Sequence, residues 1–222
     1  MNSFRQKMRA SPIYARVVPY VIFILLTVSQ SFFGEAGKYW IYLGKTLVGA
    51  WLIWEMRGLV PEMRWEVSTE AIAVGVAVCV MWVGIDNFYS RPGAGDPPWN
   101  PRLQFGEHST LALVFIWGRI LGSTIVVPPL EEIFFRSFLY RYFVRTDFQN
   151  MPFSRFHPTS FIVTSAIFGF EHSQWLAGIL CGFAYQWLAI NKNRVADSIV
   201  AHAITNFLLG LWVLSQGAWK FW

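Results

Sequence analysis

TLALVFIWGRILGSTIVVPPLEEIFFR, residues 110–136, is the stretch on which the fold turns. Residues 110–128 are apolar apart from Arg119 and a few hydroxyls. About 17–25 such residues are what a helix needs to cross a bilayer. Two prolines, two glutamates and Arg136 follow at once, with aromatic side chains between them. Ionisable groups at membrane depth are costly to desolvate, so each is a functional hypothesis by default.

The same apolar signature recurs outward from this stretch, near 17–33, 39–56, 70–88, 158–172, 174–190 and 196–214. Segment 129–145 is equally apolar but studded with charge. The expectation is an all-α, polytopic membrane bundle of seven or eight transmembrane helices. The longest connection, 89–109, contains RPGAGDPPWNP and is too rich in Pro and Gly for helix or strand. There is no internal repeat and no room for a soluble domain. Residues 1–109 carry helices without a motif, residues 110–222 carry the polar clusters, and the two form one membrane domain.

Composition agrees. Of 222 residues 55% are hydrophobic and 14% charged, with mean hydropathy +0.39; soluble domains carry about 25% charge. Twelve Trp and twenty Phe exceed what one water-soluble core of this size uses. The net charge of +5 could point to nucleic acid, but the basic residues sit between apolar runs and form no continuous patch. With the N-terminus inside, twelve Lys and Arg fall on inner segments against four (Lys38, Arg91, Arg102, Lys220) on outer ones, a positive-inside bias. Lys45 and Arg119 remain within spans, the first placed to snorkel and the second to face protein or water. Arg5, Lys7, Arg9 and Arg16 precede the run Val17 to Phe33, which lacks a small-x-small cleavage site and reads as an uncleaved first span. Cys79 and Cys181 read as small buried hydrophobes, with neither a disulfide nor a metal role.

Three polar clusters interrupt the C-terminal apolar helices: Glu131-Glu132-x-x-x-Arg136, Phe168-x-x-x-His172 and His202-x-x-x-Asn206. Four-residue spacing stacks two side chains on one helical face. Pro128 and Pro129 are expected to end one helix and open another, with both glutamates in its first turn. Glu132 can then pair with Arg136, while Glu131, about 100° away, points elsewhere and is free to act on a ligand. Singly, each cluster has a plain structural explanation: an ion pair, packing by Phe168, a satisfied core histidine, an acid (Glu171) capping a turn. Their joint occurrence on separate apolar helices is harder to ascribe to packing. Two Gly-x-x-x-Gly pairs, Gly118/Gly122 and Gly178/Gly182, hint that their two helices meet.

Together EEIFFR, FGFEH and HAITN resemble, over about residues 128–210, the CPBP family of intramembrane proteases, which includes CAAX-processing Rce1-like enzymes and bacterial Abi proteins. Within it the chain is most similar to bacterial CAAX prenyl protease-related proteins. The resemblance implies a hydrolase that cuts a membrane-associated or lipidated protein or peptide, in the bacterial inner membrane with a cytoplasmic N-terminus. It implies glutamate-dependent hydrolysis: Glu131 as general base for a water that His172 holds, His202 and Asn206 as oxyanion donors, and Glu132 and Arg136 in support. No cofactor is expected. A zinc-dependent version would use Glu131, His172 and His202 as ligands. A non-catalytic immunity or assembly factor is the reading from another class, and the lack of repeats weakens a transporter. One geometric tension stands. A straight 110–128 span leaves Glu131 near the inner interface, with His172 and His202 at mid-depth or beyond. They meet only if the EExxxR helix dips into the bundle or a water-filled cavity opens from the cytoplasmic side.

Overall fold

The computed structural model describes residues 3–92 and 97–222. The middle of the expected 89–109 loop, 93–96, therefore lies outside the described residues. Every regular element among the described residues is helical. After α1 (Ser3–Ala10), Ser11 caps α2 (Pro12–Ser29) by accepting from the Tyr14 amide at 3.4 Å. A 3-10 turn, Gln30–Phe33, leads into α3 (Gly34–Met56). Gly34 sits at φ +67, a conformation that side chains with a Cβ rarely adopt, and there the chain doubles back. Lys45 thus meets Thr27, and Gly49 meets Phe23. The remaining helices are α4 (Thr69–Gly84), the short α5 (Pro101–Phe105), α6 (Thr110–Leu121), α7 (Val127–Glu132), α8 (Tyr140–Val144), α9 (Pro158–Phe170), α10 (Trp175–Lys192) and α11 (Ala196–Gln216). Three helical runs, Pro12–Met56, Thr110–Val144 and Ala196–Gln216, are long and apolar enough to cross a membrane.

The helix expected to end at Pro128 does not end there. α6, α7 and α8 form one run, joined by π-helical turns at Gly122–Val126 and Ile133–Leu139. The Val127 amide bonds to the Gly122 carbonyl, five residues back. This wider turn gives the proline rings space and absorbs their missing N–H groups within the helix. The EExxxR segment is thus the middle of a kinked helix, and its acids lie well inside that helix instead of in a first turn.

The two glycine pairs serve different interfaces, contrary to expectation. Gly118 and Gly122 face α3, where an added Cβ would come within 2.3 Å of Leu43 and 2.7 Å of Thr46. Gly178 and Gly182 face α9, where it would come within 2.9 Å of Gly169 and of Ser165. α4 runs parallel to α11: Ser68 bonds to Asp197 at one end, and Thr205 Oγ1 donates to the Gly75 carbonyl at 2.8 Å farther along.

These crossings give the bundle two distinct ends. At the N-terminal end, Arg16, Glu62 and Arg141 converge. At the opposite end, Lys220 meets Asp86 and Gln174, and Trp175 Nε1 donates to the Ser90 carbonyl.

Candidate active site

The π-turn before Pro128 shapes the site twice. It presents Glu131 and Glu132 to the bundle interior, where they are 7% and 0% exposed. It also leaves a backbone acceptor open. In the five-residue register set by Val127 and Gly122, the next donor in line for the Ser123 carbonyl is Pro128, which has no N–H. Asn206 fills that gap: its Nδ2 donates to the Ser123 carbonyl at 2.8 Å. One amide N–H of Asn206 is therefore committed to holding the kinked helix against α11, and the other remains for a ligand.

Glu132 is the better-bound acid. Arg136 Nε lies 3.1 Å from its Oε2, off the hydrogen-bond line, so this contact is a charge pair. Its Oε1 lies 2.9 Å from His202 Nδ1. The Arg136 pair follows from the i,i+4 spacing; the His202 contact, 70 residues away in sequence, does not. Arg136 is itself enclosed, with its guanidinium 4.3 Å from the Phe168 ring centre and a bond to the Gly182 carbonyl at 3.3 Å. Glu131 differs. Its Oε2 stands 4.0 Å from His202 Nε2, and among the described residues no hydrogen-bond donor reaches that oxygen.

Both imidazoles are held by one nitrogen. His172 Nδ1 lies 2.8 Å from the Phe168 carbonyl, which can only accept, so Nδ1 carries the proton there. His202 Nδ1 faces the Glu132 carboxylate in the same sense. Tyr185 stacks on the His202 ring at 5.1 Å, and Trp82 stands edge-on to His172 at 5.5 Å. Each ring thus keeps Nε2 for whatever enters the site.

Glu131, His172, His202 and Asn206 all line one cavity of about 390 Å³. The tension over depth is relieved by the kinked helix, which carries Glu131 into the bundle. The cavity lining includes Ser173, Gln174 and Lys220, at the end of the bundle opposite the N-terminal one. Glu171, at the C-cap of α9, accepts a hydrogen bond from the Tyr20 hydroxyl. Tyr20 sits inside an apolar run with no motif to mark it.

The N-terminal end is closed by a buried polar knot that the sequence reading missed. Arg16 Nη2 reaches Glu62 Oε1 at 2.6 Å, and Arg141 Nη2 approaches it at 3.4 Å. The Ser137 hydroxyl donates to Glu62 and accepts from Arg16 at 3.1 Å and from Arg141 at 3.0 Å. Arg16 and Arg141, taken as topological charges, are 1% and 5% exposed and serve this acid. Burial alone would raise the Glu62 carboxyl. The Arg16 guanidinium and the bonds from Ser137 and Arg16 outweigh it and hold the carboxyl below its ordinary range.

Residues 113–208 match the family described as type II CAAX prenyl endopeptidase Rce1-like. Neither the curated proteins nor the solved structures contain a match. Residues 113–208, less than half of the chain, hold all three polar clusters and are similar to that Rce1-like family, within an all-helical chain whose helices are apolar enough to cross a membrane.

Proposed function

We propose that the protein is an intramembrane endopeptidase that hydrolyses a peptide bond of a membrane-associated or lipidated protein with a water activated by Glu131. The single observation that carries this reading is the set of side chains on one cavity: an acid whose Oε2 no donor reaches, two imidazoles fixed through Nδ1, and an amide with one N–H to spare. Glu131 takes a proton from water, and His172 Nε2 accepts a hydrogen bond from the same water and orients it. The second N–H of Asn206 and His202, protonated at Nε2 and balanced by Glu132, stabilise the oxyanion of the tetrahedral intermediate. Collapse of that intermediate sends the proton held by Glu131 to the leaving amine. On this reading the bundle has seven spans, with 110–144 counted as one kinked span, and the N-terminus faces the cytoplasm of a bacterial inner membrane.

Terminal-labelling proteomics on membranes from cells expressing wild type or Glu131→Gln tests the reading. New protein termini should arise with wild type and vanish with the variant at equal protein level. Identical terminus profiles would refute proteolysis and favour a scaffold.

A zinc-dependent version has one observation behind it. Both imidazoles give their Nδ1–H to an oxygen acceptor and keep Nε2 free, as metal-bound histidines do. Against it, among the described residues no three His, Cys, Asp or Glu side chains are gathered to hold a metal ion.

A further inference from the structure

Among the described residues that line the cavity, two buried side-chain polar atoms have no hydrogen-bond partner. One is Glu131 Oε2, the base of the reaction just described. The other is Nε1 of Trp82, on α4, and that reaction leaves it unused. Trp82 is 6% exposed and lies in one apolar cluster with Phe168, Cys181 and Tyr185. Its ring stands 5.5 Å from that of His172, at an interplanar angle of 75°. Nothing in the apolar sequence of α4 sets this tryptophan apart from the others in the chain.

The packing of α4 delivers the indole there. Gly75 lets α4 close onto α11: an added Cβ would come within 2.7 Å of the Ala201 carbonyl oxygen. The Gly75 carbonyl accepts from Thr205 Oγ1 at 2.8 Å, which fixes the register of the two helices. Trp82 follows Gly75 by seven residues, two turns along nearly the same face, so the face that meets α11 also brings the indole to the cavity. An indole has one donor and no acceptor. Trp175 Nε1 donates to the Ser90 carbonyl at 3.0 Å, whereas no described residue offers Trp82 an acceptor. Water can meet this donor while the cavity is open. A chain that displaces the water has to supply the acceptor itself, or the buried N–H is left bare.

The chemistry of the donor narrows the acceptor. An indole N–H carries no charge, so it suits a neutral acceptor, and every peptide unit offers a carbonyl oxygen. The scissile carbonyl is already served by Asn206 and His202 in the proposed reaction. Trp82 stands beside His172, which holds the water. Successive peptide units of an extended chain follow at about 3.3–3.6 Å, so the carbonyl left for the indole belongs to a peptide next to the scissile one. Resting on the endopeptidase reading, we propose that Trp82 Nε1–H binds a substrate backbone carbonyl flanking the scissile bond. The contact is made equally in the bound substrate and in the transition state, and it holds the chain across Glu131 and His172.

The test uses the full-length protein in detergent and a randomised pool of N-palmitoyl octapeptide amides. Glu131→Gln protein should retain a subset of the pool. Replacing its Trp82 by benzothienylalanine keeps the ring and puts sulfur in place of the N–H. Retention should then fall about tenfold, the worth of one buried hydrogen bond. Trp82→Phe should lower it at least as much. The best-retained peptide is next remade with an alkene in place of one peptide bond at a time. One such replacement should weaken binding about tenfold in Glu131→Gln protein and hardly at all once the indole N–H is gone, the coupling that marks a direct contact. In otherwise wild-type protein the sulfur isostere should raise KM about tenfold and leave kcat within about twofold, as loss of uniform binding does. No retention by Glu131→Gln protein, retention untouched by the isostere, or no backbone replacement coupled to it overturns the contact. So does a fall in kcat at unchanged KM. A loss with Trp82→Phe that the isostere does not share assigns the ring to packing alone and also overturns it, and the isostere decides if Trp82→Phe does not fold. Coupled retention without cleavage by wild type sinks the endopeptidase reading and leaves the contact standing.

Discussion

His202 Nδ1 lies 2.9 Å from Glu132 while its Nε2 stands 4.0 Å from Glu131, so one imidazole spans two acids that are adjacent in sequence. Neighbouring helical residues diverge by about 100°, and only a third group between them can face both. Glu132 faces the Arg136 charge on one oxygen and His202 on the other, which leaves Glu131 as the acid with freedom to act.

This division predicts different failures for two isosteric changes. Glu131→Gln removes the base and should lower turnover by roughly 10²–10⁴-fold, the usual worth of general base catalysis, with folded yield near wild type. Glu132→Gln should lower turnover and also folded yield, because it strips the partner from the buried Arg136. Breaking such a pair costs about 3–5 kcal/mol. Arg136→Ala should act mainly on yield. Turnover per folded molecule, counted after size-exclusion chromatography, checks all three. Equal folding defects in Glu131→Gln and Arg136→Ala would refute the assignment.

Asn206 carries a second, separable prediction. Its bond to the Ser123 carbonyl replaces the donor that Pro128 lacks, so Asn206→Ala leaves a backbone acceptor bare as well as removing an oxyanion donor. Thermal stability should fall by about 1–3 kcal/mol, and turnover by on the order of 10²-fold. Pro128→Ala in the Asn206→Ala background restores an N–H to that register. It should recover stability and leave turnover low, which assays of melting and activity on one preparation would separate.

The membrane class and the pairing of Glu132 with Arg136 were legible because they depend on local quantities: apolar run length and i,i+4 spacing. The single rod 110–144 was not, because Pro128 and Pro129 signal a break in any local reading, and only packing against α3 and α11 makes the π-turn worth forming. The split roles of the glycine pairs failed for the same reason, since a Gly-x-x-x-Gly stretch declares a close approach without naming the partner. Arg16 and Arg141 look like topology signals until the loop acid Glu62 folds onto them. Sequence separations of 46 and 79 residues put those contacts beyond any motif.

The Glu62 knot makes stability depend on pH. Its carboxyl is held below the ordinary value in the folded state, so its contribution is complete above the unfolded value and is lost as pH falls through the folded one. The melting temperature of detergent-solubilised wild type should therefore drop on acidification below about pH 4. Glu62→Gln should melt lower at neutral pH, having left Arg16 and Arg141 unmatched, and should lose much of that acid-induced slope. Parallel melting curves from neutral to acid pH would show that other groups set the acid limit.

Metal dependence is decided by how His202 fails. In the metal-free reading its Nε2–H meets a charge that exists only in the transition state. His202→Ala should then slow turnover by about 10²–10³-fold with KM nearly unchanged, the mark of a lost transition-state donor. Purified wild type should also cleave after exhaustive chelation, and elemental analysis should find no stoichiometric metal. If Glu131, His172 and His202 instead bind zinc, His202→Ala empties the site, and metal content and activity disappear together. Glu132→Gln sharpens the contrast, because it perturbs His202 from its far side while leaving all three proposed ligands in place. With zinc it should weaken metal affinity about 10–100-fold, so added zinc would rescue activity. Without zinc, no metal concentration should restore the lost rate. Rescue of Glu132→Gln by zinc, together with wild-type activity that dies on chelation, would overturn the water-by-glutamate mechanism while leaving proteolysis itself intact.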